Sequence, residues 1–152
     1  MNALSDLRAT LDPSRKSWIE SANEPTNDFS IQNLPFGIFS DRHHDARRVG
    51  VAIGDQIVDL AALQAAGLLN VSSPADVFSR DTLNHFIALG RDVWRSVRVQ
   101  LSELLSRDTA TLRDDAALRA SVAGIHADRK IGRVRDASCK RSNTALRDNW
   151  IG

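Results

Sequence analysis

The spacing of apolar residues changes sharply along this chain. Over Arg48-Val-Gly-Val-Ala-Ile-Gly-Asp-Gln-Ile-Val-Asp59, Val49, Val51 and Ile53 alternate at the strand period, and Ile57 and Val58 resume beyond Gly54-Asp55. A Gly-first two-residue break between β-rich runs predicts a hairpin, because glycine takes positive φ without a Cβ clash. Pro35 has no N–H for a ladder, so Leu34-Pro35-Phe36 should start a strand or follow a sheet edge. Asp59 then predicts the N-cap of a short helix over 60–66, with Gly67 closing it in the left-handed region.

Further along the period lengthens. Leu83, Ile87, Gly90, Trp94, Val97, Leu101 and Leu104 recur at alternating steps of four and three, which predicts one continuous helix capped by Asp81. Arg91, Asp92, Arg95, Arg98, Ser102 and Glu103 fall off that stripe and are expected in solvent. Each Leu, Ile or Val buried on it should contribute about 1.5–3 kcal/mol. Trp94→Ala is expected to be its costliest change, at about 3–5 kcal/mol. Ser73-Pro74 predicts a further helical turn, and a short helix is expected over 112–120. Upstream, Asp12-Pro13 reads as a helix start, Trp18 as the anchor that docks this segment, and 23–28 as a loop. Beyond Ser121 the periodicity fades and poor order is expected. Strands followed by helices give an α+β class, arranged as a leader with a short helix (1–28), a domain (29–120) and a basic tail (121–152).

Composition changes this picture little. A chain of 152 residues, 42% apolar and 26% charged, suits one soluble domain with a core. No apolar run approaches the roughly 20 residues that span a bilayer. Met1-Asn-Ala-Leu-Ser-Asp-Leu-Arg8 lacks the apolar centre of a signal peptide, and the single cysteine, Cys139, can form no internal disulfide. Both point to a reducing cytoplasm. Charge is uneven: residues 121–152 hold seven Lys/Arg against three Asp, leaving thirteen against sixteen elsewhere. The tail's cations share no helical face and Trp150 is their one aromatic companion, so a nucleic-acid binder is a minor alternative.

Four blocks in order carry a resemblance: Gln32-Asn33-Leu34-Pro35-Phe36-Gly37-Ile38-Phe39-Ser40, the run from Gly50 to Leu60, the run from Thr82 to Gly90, and Leu112-Arg113-Asp114-Asp115. From about Ser17 to about Arg119 the chain resembles the N-terminal domain of fumarylacetoacetases. The resemblance implies a small SH3-like β-barrel set before a larger catalytic domain. It also implies a parent homodimer using Mg²⁺ or Ca²⁺ to hydrolyse 4-fumarylacetoacetate to fumarate and acetoacetate, the last step of tyrosine and phenylalanine breakdown.

Candidate chemistry within the chain is thin. Asp41-Arg42-His43-His44-Asp45 offers metal-ligand types, but adjacent histidines diverge and the segment reads as a solvated turn, in agreement with the family, which places no ligand there. Gly54-Asp55 lacks phosphate-loop spacing. Asp114 and Asp115 would diverge by about 100° on a helix, so they suit capping or a contact to Arg113 or Arg119 rather than a shared proton. Lys140 and Arg141 would lower the Cys139 pKa, yet no pocket is evident. His85 reads as packing or a surface hydrogen bond.

Ile125-His126 and Ile131-Gly132 keep the spacing by which the family approaches its first metal carboxylate. By that resemblance Arg133 stands at the carboxylate, Val134 and Ser138 at two tyrosines, Asp136 at a non-ligand aspartate, and Asn143 at the base histidine. Arginine repels a dication and asparagine takes up no proton at neutral pH. The family register is thus expected to be lost near Ser121, through a shifted frame or a decayed gene; reading the nucleotides in all three frames tests this. No catalytic, cofactor or metal residue is assigned, and the chain is expected to be inactive, a partner of the missing catalytic domain, or alternatively a free-standing barrel module for assembly. Apolar surface left bare by that missing partner would favour self-association.

Overall fold

The computed structural model describes residues 3–41, 46–73, 76–123 and 125–126, without the side chains of Ala3, Leu4, Ile125 and His126. In order come α1 (Ala3–Ala9), a 3-10 turn (Glu20–Asn23), β1 (Phe36–Phe39), β2 (Arg48–Ile53), β3 (Gln56–Asp59) and α2 (Leu60–Ala65). Then follow α3 (Asn84–Ala88), α4 (Arg91–Leu104), α5 (Ala110–Arg113), α6 (Ala116–Ala123) and β4 (Ile125–His126). The α+β class holds. The strands form an antiparallel meander ordered β1-β2-β3-β4. Among the described residues it is an open sheet, with no pairing between β1 and β4.

The hairpin forms where the alternation places it. Ile53 pairs with Gln56 across Gly54-Asp55, and Gly54 takes φ +58, as a Gly-first turn requires. Pro35 precedes β1 at the sheet edge, and its carbonyl accepts from Ala52 N at 3.1 Å. The cross-strand register puts Phe36, Val49, Val51, Ile53 and Val58 on one face, in the main core with Leu60 and Leu63 of α2 and Val97 and Leu101 of α4. Phe86 knits that core, its ring centroid 5.1 Å from Phe36 and 5.4 Å from Phe78. The opposite face is buried too, at Phe39, Ala52 and Ile57. β3 turns into α2 at Asp59, and the ladder position this leaves beside Val49 is taken by Phe78, whose carbonyl accepts from Val49 N at 2.8 Å.

Asp59 caps α2 through Oδ1, which accepts from Ala62 N at 3.1 Å, and Gly67 follows the helix with φ +72. The predicted continuous helix is in fact two. Gly90, at φ +87, ends α3 and its carbonyl starts α4, because a residue so far from helical φ interrupts the i→i−4 ladder. Asp81 lies upstream of Leu83, the residue at the N-cap position of α3. The break rotates the stripe: Phe86 replaces Ile87 as the core residue, Ile87 being 38% exposed, and Leu105 joins Val97 and Leu101. Trp94 is only half-buried and bridges the two helices through Nε1 to Phe86 O at 2.9 Å. Two residues expected in solvent are not there. Ser102 is buried. Arg98 is half-buried and donates to the carbonyls of Gln32 and Asn33, securing the turn at Leu34, which has φ +37 and no exposure.

The leader folds differently from its prediction. Helix α1 precedes Asp12, whose Oδ1 instead accepts from Ser14 N at 2.8 Å and from Ser14 Oγ at 2.7 Å, a local turn that competes with helix. Trp18 does anchor the segment: its N donates to Leu105 O at 3.3 Å and its Nε1 to Leu104 O at 3.1 Å. These contacts satisfy carbonyls that the end of α4 leaves without helical partners. The predicted helix over 112–120 is split at Asp114 and Asp115 into α5 and α6. Helix α6 carries on to Ala123 with Val122 buried, so the apolar pattern continues past Ser121. Residues 76–80 are not helical, and Pro74 lies outside the described residues.

Candidate functional site

The densest polar cluster grows from the hairpin register. Phe39 pairs with Arg48 and Gly50 with Asp59, so these side-chain positions share one sheet face. Arg48 donates through Nη2 to Asp41 Oδ2 at 2.5 Å and through Nε to Asp59 Oδ2. Its Cζ stands 4.5 Å from the centroid of the Phe39 ring. The three charged side chains are largely withdrawn from solvent, at 16%, 13% and 8% exposure for Arg48, Asp41 and Asp59. Burial disfavours the guanidinium charge, but hydrogen bonds and charge from Asp41 and Asp59 outweigh it and hold the Arg48 pKa above its ordinary value. Because Asp59 also caps α2, this network joins the mouth of the β1–β2 connection, both strands and a helix start.

Such an arrangement positions backbone rather than performing chemistry. Both carboxylates face a fixed cation, so neither is placed to ligate a second one or to accept a substrate proton. Among the described residues no three His, Cys, Asp or Glu side chains converge on a point. Asp41 and Asp59, both paired with the Arg48 guanidinium, do not fit a divalent cation as a donor set. The Arg48 network escaped the sequence reading, although the register fixed by Gly54-Asp55 puts Asp59 opposite Gly50, on the same sheet face as Arg48 two residues before that glycine.

The other candidates disperse. Asp41 reaches Arg48, while 42–45, with both histidines, lie outside the described residues. Asp55 lies at the hairpin tip, where Ser21 Oγ donates to its Oδ1 at 2.5 Å and accepts from its N at 3.0 Å. Asp114 takes a two-pronged contact from Arg113, at 2.7 Å from Nε and 2.9 Å from Nη2. That hydrogen bond is the main reason its carboxyl is held below the usual 3.8. Asp115 caps α6 through Leu118 N at 2.9 Å. Both acids thus take the capping and ion-pair roles expected of them. His85 is exposed on α3. His126 pairs with Gln56 along the backbone of β4. Ile131, Gly132, Arg133, Val134, Asp136, Ser138, Cys139 and Asn143 lie outside the described residues. No helix is long and apolar enough to cross a membrane among the described residues.

Comparison with known proteins supplies the frame for these features. A family model described as Fumarylacetoacetase N-terminal matches residues 32–130. The chain is 44% identical over 119 residues to a fumarylacetoacetase of Caenorhabditis elegans, covering 72% of this chain and 28% of that protein. It is 39% identical over 144 residues to that of Homo sapiens, covering 82% of this chain and 34% of the relative. Identity to the Bos taurus protein is 47% over 95 residues, 61% of this chain and 22% of the relative. The chain thus spans about a third or less of these relatives' lengths. By the extent of that match, the chain belongs to the fumarylacetoacetase N-terminal family.

Proposed function

We propose that this chain is a non-catalytic structural domain of a fumarylacetoacetase, one that docks with the catalytic domain and turns over no substrate by itself. The family match over residues 32–130 carries the reading. The neutralised Asp41–Arg48–Asp59 network supports it, since the acids that converge here are committed to the fold. The parent reaction would be hydrolysis of 4-fumarylacetoacetate to fumarate and acetoacetate in tyrosine and phenylalanine breakdown, in the cytoplasm. In that assembly Mg²⁺ or Ca²⁺ and the homodimer contacts would belong to the catalytic domain, and the open meander would form part of an SH3-like barrel.

Two measurements test this reading. Incubation with 4-fumarylacetoacetate and Mg²⁺, followed by absorbance, should show no loss of substrate above background; turnover would overturn it. Immobilised chain should retain a fumarylacetoacetase catalytic domain, and failure to do so would remove the docking role.

A further inference from the structure

The segment ahead of the family-matched stretch grips two distant parts of the fold. At one end it closes α4: Ser17 Oγ and Trp18 N donate to Leu105 O at 2.8 and 3.3 Å, Trp18 Nε1 donates to Leu104 O, and Arg107 N donates to Lys16 O at 2.9 Å. At the other it holds the hairpin tip: Ser21 Oγ bonds Asp55, and Gly54 N donates to Phe29 O at 2.7 Å. A Cβ on Gly54 would stand 2.7 Å from Ala22 N, so the strap and the tip meet backbone to backbone. The grips are four residues apart, at Ser17 and Ser21. Asn23 lies in the same 3-10 turn as Ser21 and reaches back to Ser17, its Oδ1 accepting from Ser17 N and its Nδ2 donating to Ser17 O, each at 2.9 Å.

We propose that residues 15–29 form a single latch, which locks the end of α4 to the β2–β3 tip and opens only as a unit. The turn that carries Ser21 is tied through the Asn23 amide to Ser17, which leaves little room for one grip to release while the other holds. Opening would bare the Leu104 and Leu105 carbonyls and the Gly54 and Asp55 amides together.

Residue-resolved hydrogen exchange on the full chain tests this. The reporters are the amides of Trp18 and Arg107 at the α4 end, and of Gly54 and Asp55 at the tip. Asn23→Ala removes the brace on Ser17 and none of the bonds that join the latch to α4 or to the tip. It should accelerate all four by a common factor of at least about tenfold, while Val51 and Val58 in the sheet keep their rates. Ser21→Ala, acting from the tip, should likewise accelerate Trp18 and Arg107. Gln100→Ala removes a similar bidentate amide contact, to Asn70, and should leave all four unchanged. Acceleration by Asn23→Ala confined to the α4-end reporters, acceleration of the sheet amides by the same factor, or an effect of Gln100→Ala on the latch would each overturn the proposal.

Discussion

Two glycines stand where an added Cβ would collide with its neighbours. A Cβ on Gly50 would come within 2.6 Å of the Phe39 ring and 2.8 Å of Ile57, so Gly50→Ala should cost about 1–3 kcal/mol through overpacking. Gly54→Ala adds a φ of +58 to a collision with Ala22 and should cost more than about 1 kcal/mol. Urea unfolding of both variants checks these values. Arg48→Met should be more severe in the same measurement, at about 3–5 kcal/mol, since it removes the guanidinium that Asp41 and Asp59 share away from solvent. In the unsubstituted chain, Asp12 and Asp114 should titrate below 3.8 by NMR, held down chiefly by hydrogen bonds from Ser14 and Arg113. Lowered folded values mean that their small contributions are present above the unfolded pKa and lost as pH falls through the folded one.

At the scale of elements, legibility depended on whether several local rules agreed. The hairpin, the Asp59 cap and Gly67 were readable because alternation, turn chemistry and capping agreed there. The long stripe misled because Gly90 fits the four-and-three spacing as a gap while its backbone ends the helix. Phe86 therefore points inward where Ile87 was expected. The cost of truncation should follow: Leu101→Ala, fully buried, about 2–5 kcal/mol, against well under 1 kcal/mol for Ile87→Ala, measured by denaturant midpoint at unchanged slope. Trp94→Ala should fall below Leu101→Ala, since the indole is only half-buried. The leader was legible at Trp18 but not at Asp12, where a side chain forming its own turn looks in sequence like a helix cap.

For the whole molecule, the family was legible in the sequence and the surface was not. Large apolar side chains more than a third exposed are Leu11 and Ile87 among the described residues. The self-association expected from sequence is checked by light scattering at high concentration, where a monodisperse monomer would refute it. The Arg48 network depended on three separate segments meeting, which no local pattern reports. A ligand that binds only the folded chain raises its midpoint by mass action. Millimolar Mg²⁺ or Ca²⁺ should therefore leave the thermal midpoint of this chain unchanged, and a concentration-dependent rise would assign it a cation site.

The carbonyl of Phe78 beside β2 also sets how this chain can change length. Residues between α2 and α3 include a surrogate for the rung that β3 abandons at Asp59. Extra residues inserted near Asn70 could bulge outward and leave that rung in place. A deletion that drew Phe78 away would strand the Val49 amide at a fully enclosed position. Homologous sequences should therefore vary here by gaining residues far more readily than by losing them.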